Sequence, residues 1–175
     1  MQHAGLQHPW GAGYPPGMDA VTRLLHVLAV ATYLGSTVAL VLVLLPAAAA
    51  IDDPALQRRV LARGLRPYNV LSVGALGVLI LTGASSLTEW KRTLGPAYSR
   101  LLWPLAGKLA LTFALTMVGT WLSFGLAHRL VRAELGGLPV EPDQQRSILK
   151  RLAGGAWLAI LLAVWTTWVG LSLGR

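Results

Sequence analysis

The chain of 175 residues contains no cysteine. That removes disulfides, thiolate metal sites, iron–sulfur clusters and covalently attached c-type haem. Any cofactor must therefore be held by His, Met, Lys or carboxylates, or by packing alone. Charge is also scarce: Asp, Glu, Lys and Arg make up 13% of residues, against about 25% in ordinary soluble domains. Hydrolase nucleophile motifs, phosphate-cradling glycine loops and paired carboxylates within the apolar blocks are absent. The commoner hydrolytic and nucleotide chemistries thus lack their residues. The net charge of +8 does not point to nucleic acid, because the bases sit in short connectors between apolar blocks. That is the pattern of membrane-topology determinants.

What the chain does have is apolar length. Hydrophobic residues reach 54%, in four blocks that predict an all-α, integral membrane bundle of four transmembrane helices. The expected spans are about 22–46, 68–88, 101–131 and 152–173, within a single domain of residues 21–175. Residues 1–20, rich in Gly and Pro, read as an irregular outer arm. The first apolar block is about twice the length of a signal core and no basic cluster precedes it, so it reads as a retained span. Asp52, Asp53 and Pro54 form a helix-start signal. Residues 55–64 then read as a short amphipathic helix on the membrane surface, stopped by Gly64. Gly74, Gly77 and Gly83, with Ser85 and Ser86, read as a face on which a neighbouring helix packs closely. Residues 133–149 read as a polar connector.

Connectors one and three carry nine of the fifteen Lys and Arg residues, five lie on the other side, and Lys108 is inside a span. The excess predicts the nine-residue side in the cytoplasm and both termini outside, in a cell membrane. Trp10, Trp90, Trp103 and Trp168 then fall near the outer interface, where aromatic belts form.

Ionisable residues inside a span are expensive and usually face the bundle. His26 lies about five residues below the start of the first span, and Lys108 about seven below the start of the third. At 1.5 Å per residue the two share nearly one depth, roughly 8 and 10 Å in. Tyr33, seven residues after His26, shares its helix face, with Ser36 and Thr37 beyond. These residues suggest an outer-half polar site with Asp19 and Glu89 near its rim. Snorkelling of His26 and Lys108 to the interface is the plainer alternative. His128 lies near the far end of the third span, roughly 30 Å below Lys108 by rise, and cannot share a haem with His26. In the arm, Met1, His3, His8 and Met18 are possible copper ligands, although their spacing matches no known site.

The segment HVLAVATYLGS, with His26, Tyr33 and Gly35, resembles helix one of the copper-resistance protein D group and the related HemJ-type protoporphyrinogen oxidases. GKLALTFALTMVG followed by AHRLVRA resembles their third helix, and ILTGASS resembles an LTG segment of the copper group. The resemblance covers roughly residues 22–132. Tyr33 stands where those proteins usually have tryptophan, and the oxidases' tyrosine–histidine pair in helix three has no counterpart here. The resemblance implies contact with haem or a porphyrin, with His26 and Lys108 at the positions of the oxidases' important histidine and lysine. The resulting expectation is a membrane redox protein, or a subunit of an electron-transfer complex, that binds haem b through His26 with Lys108 and Tyr33 nearby. Copper handling through His3, His8 and Met18 is the alternative, and a cofactor-free accessory subunit is the third reading. Expected partners are membrane lipid and other membrane subunits or further copies of the chain.

Overall fold

A computed structural model describes residues 20–94, 102–136 and 141–172. The arm, with His3, His8, Met18 and Asp19, and the connector at 95–101 lie outside the described residues. Four helices carry the rest: α1 (Ala20–Ala49), α2 (Pro54–Leu94), α3 (Leu102–Glu134) and α4 (Pro142–Ser172). Each contains a stretch long and apolar enough to cross a membrane, and no strand occurs among the described residues. The large apolar side chains left exposed, such as Phe113, Leu161, Trp165 and Trp168, are suited to a hydrocarbon solvent. Trp103 is 88% exposed, in keeping with a belt position at a helix end.

The helices run longer than the apolar blocks. α2 is continuous from Pro54, so the expected surface helix ending at Gly64 does not exist as a separate element. Gly64 has no positive φ and makes no C-cap turn. Its missing side chain admits Leu44 of α1, whose Cδ1 lies 2.5 Å from where a Cβ would stand. Pro67 also lies inside this helix, where its missing N–H forgoes the bond to the Arg63 carbonyl one turn back and its ring crowds that carbonyl. Likewise, α4 starts at Pro142, so residues 142–149 are helical rather than part of a loop. Pro142 sits in the first turn, where a missing N–H costs little.

Two helices widen locally to a π turn, at Leu40–Leu44 in α1 and Trp121–Ala127 in α3. The first has an evident cause. The Pro46 ring would clash with the carbonyl four residues back, and a wider turn there relieves the clash. The second brings Leu122, Ser123, Leu126 and Ala127 all into the core.

Close packing uses glycines other than those expected. Gly74, Gly77 and Gly83 meet nothing within 4 Å, and the first two are exposed. The close approaches are at Gly64 to Leu44, Gly119 to Leu76 and Tyr33, and Gly155 to Leu122 and Trp121. In each, a bulky side chain fills the place of a missing Cβ, which brings two helices together.

The end of the bundle nearest Arg58–Arg66, Arg129–Arg132 and Arg146–Arg151 (the basic end) is tied by polar contacts. Gln57 Nε2 donates to the Ala48 carbonyl at 2.9 Å, and Gln145 Nε2 donates to Gln57 Oε1 at 2.7 Å. Three helix ends are thus joined by two side chains, and Gln145 is buried. Arg59 Nε pairs with Glu134 Oε1 at 3.4 Å.

Candidate functional site

At the opposite end, an interhelical side-chain bond joins α1 and α2. His26 Nδ1 lies 2.7 Å from Thr82 Oγ1. Thr82 Oγ1 is itself 2.7 Å from the Val78 carbonyl four residues back and 3.2 Å from that of Leu79. A threonine hydroxyl has one proton, and a 2.7 Å approach to a carbonyl requires that proton between the two oxygens. The hydroxyl therefore donates to the Val78 carbonyl and accepts from His26 Nδ1–H. This assigns the proton of the neutral imidazole to Nδ1 and leaves Nε2 as the acceptor nitrogen. The Thr82 carbonyl in turn accepts from both Ser85 and Ser86, so the turn bearing Thr82 is dense in hydroxyls.

Lys108 lies close enough for its charge to act on the His26 ring. Both residues are six positions along their helices from the first described residue, about 9 Å of rise in each. Lys108 is half-buried and makes no ion pair among the described residues. Its Nζ lies 3.4 Å from where a Cβ on Gly170 would stand, so it lies over α4 in room that Gly170 leaves. Arg23, one turn from His26 on the same side of α1, is also half-buried. Arg23, His26 and Lys108 thus lie toward one end of the bundle, with buried Ala29 and Leu105 one turn from His26 and Lys108 on their own helices. Glu89 and Asp19, expected at the rim, lie outside what is described of side chains.

Tyr33 does not join this group. It is 1% exposed and sits in the central core, with its hydroxyl 3.2 Å from the position of a Cβ on Gly119. Ser36 and Thr37 both donate to the Tyr33 carbonyl, at 3.0 and 2.7 Å. The polar stripe along α1 is therefore mostly self-satisfied. Thr112 bonds the Lys108 carbonyl and Thr116 that of Thr112, so the threonines below Lys108 also bond their own helix. The hydroxyl of Tyr33 is buried without a hydrogen-bond partner.

His128 is exposed in the basic half of α3, remote from His26. Among the described residues no three His, Cys, Asp or Glu side chains gather as a metal site. Sequence reasoning reached His26 and Lys108 and missed Thr82. An isolated threonine in an apolar helix usually bonds its own backbone, and nothing in its spacing identifies a histidine 56 residues away.

No protein-family model, no curated protein and no solved structure matches this chain.

Proposed function

We propose that the protein is a multi-pass membrane protein that binds haem b through His26, as a redox protein or as a subunit of an electron-transfer complex. The reading places the basic end in the cytoplasm, and both termini and the His26 level toward the outside of a cell membrane. One observation carries it: the Thr82 bond that holds Nδ1–H and leaves Nε2 free. An imidazole ligand needs its second nitrogen occupied by an acceptor, which sets the tautomer, orients the ring and raises its basicity. His26 meets that requirement within the apolar part of a helix, where an unused histidine would be costly.

The remaining residues fit the group in part. Lys108 and Arg23 supply positive charge at the same level, suited to the carboxylates of a porphyrin edge. His26 would hold the group, and no second imidazole lies at its level among the described residues. When bound, haem supplies one-electron chemistry. The chain's own residues would hold the ring, balance its acidic edge and place it among aliphatic side chains.

The test is an absorption spectrum of the protein purified from cells given adequate haem. A reducible Soret band is expected, and it should weaken in His26→Ala while the helical content is retained. A colourless wild-type preparation, or an unchanged band in the variant, would overturn the assignment.

A further inference from the structure

The basic end carries a concave feature. A half-open surface cleft of about 340 Å³ lies between α2 and the end of α3, lined by Arg59, Ala62, Arg63, Arg66, Glu134 and Leu135. Its volume is at the lower end of small-molecule sites, about 300–1,000 Å³. Because α2 runs unbroken through Gly64 and Pro67, Arg59, Arg63 and Arg66 follow one another at four- and three-residue steps and share a helix face. The lining holds one carboxylate, Glu134, which is engaged by Arg59. Arg63 and Arg66 are exposed and have no ion pair among the described residues.

The same face continues along α2. Four and seven residues beyond Arg66 come Val70 and Val73, both exposed, and then Gly77, with open space beside it. A pair of unengaged guanidinium groups therefore passes directly into an exposed apolar strip on one helix face. A water-soluble anion would have no use for the strip. A molecule with an acidic phosphodiester head and hydrocarbon tails matches both parts, and the planar guanidinium fork is suited to phosphate oxygens. We propose that this groove binds the headgroup of an anionic phospholipid, with Arg63 and Arg66 on the phosphodiester and the acyl chains along Val70, Val73 and Gly77. The proposal is independent of any haem at the other end.

The experiment measures lipid retained by the full chain in native mass spectrometry, after exposure to mixed phosphatidylglycerol and phosphatidylcholine vesicles. Preferential retention of phosphatidylglycerol is expected. An arginine near an anionic headgroup contributes about fivefold in affinity, so Arg63→Gln with Arg66→Gln should weaken retention about 25-fold. Arg146→Gln with Lys150→Gln removes the same charge from the same end outside the groove, and should change retention less than about twofold. Glu134→Gln frees Arg59 and should tighten binding. Equal retention of the two lipids overturns the proposal, as does an equal loss in the two double variants. Displacement of phosphatidylglycerol by millimolar inorganic phosphate would instead make this a site for a soluble anion.

Discussion

Toward the basic end, Leu61, Leu65, Leu122, Leu130, Leu152 and Ala156 are all fully buried. Toward the other end, the buried side chains among the described residues are fewer: Ala29, Thr82, Leu105, Leu115 and Ala163. The first half is closed by leucines seated over Gly64 and Gly155, by the paired glutamines and by an ion pair at its edge. The second half has fewer buried leucines than the first, and it holds the histidine, the lysine and the hydroxyl-rich turn. Packing that fills space fixes the helix axes at one end. Polar groups between less tightly filled helices at the other end are then positioned without being sealed in. A bundle that has to admit a ligand gains from that division, because close packing and an open site compete for the same volume.

The largest test of the contrast removes a leucine from the filled half. Leu122→Ala should cost about 2–5 kcal/mol, the range for a buried leucine whose site cannot collapse. Leu109→Ala, at a half-exposed position on the other half of α3, should stay within about 0.5 kcal/mol. Reversible unfolding in mixed micelles measures both, and similar losses would abolish the distinction.

Next in size is a pair of glycines. A Cβ at Gly119 would stand 2.7 Å from Leu76 Cδ1 and 3.2 Å from the Tyr33 hydroxyl, so Gly119→Ala should destabilise by about 1–3 kcal/mol through overpacking. Gly77→Ala meets open space and should stabilise by about 0.5–1 kcal/mol through helix propensity. Opposite signs in one unfolding assay are the expected outcome.

Thr82→Val removes the acceptor of His26 Nδ1–H while nearly preserving shape. If His26 holds haem, the loss of this supporting bond should weaken haem retention by about 10–100-fold, read by titration of the apoprotein. Retention equal to wild type would detach Thr82 from the site.

The smallest effect is expected at Tyr33. Its hydroxyl is buried without a partner, so Tyr33→Phe should be neutral or stabilising by up to about 1 kcal/mol, since no bond is lost and a desolvated group is removed. A clear loss of stability would mean that the hydroxyl is satisfied in the membrane.

The four spans were legible because apolar blocks of that length have few other uses. The shared depth of His26 and Lys108 followed from counting residues along two helices, and the two do lie within electrostatic reach. Where local rules were applied to single residues they misled. Gly64 is an ordinary stop signal, yet here it is a socket for Leu44. The Gly74–Gly77–Gly83 series looked like a contact face by spacing alone, whereas the contacts are made by single glycines facing a particular leucine or tyrosine. Which glycine meets which side chain depends on the rotation of each helix, and period alone does not set that. The Thr82 bond was hidden for the same reason, as was the pairing of Gln57 with Gln145.

The two glutamines also bear on the order of assembly. Gln57 reaches the Ala48 carbonyl nine residues back, a contact available once the first two helices have been made. Its Oε1 meets Gln145 only after a further 88 residues, roughly 4–18 s of synthesis at 5–20 residues per second. During that interval the first helical hairpin can be complete while one amide acceptor of its clasp still awaits the fourth helix. Arrival of Gln145 then completes the clasp, and a chain truncated before Pro142 should leave a Gln57→Cys thiol more open to a water-soluble label than the full chain does.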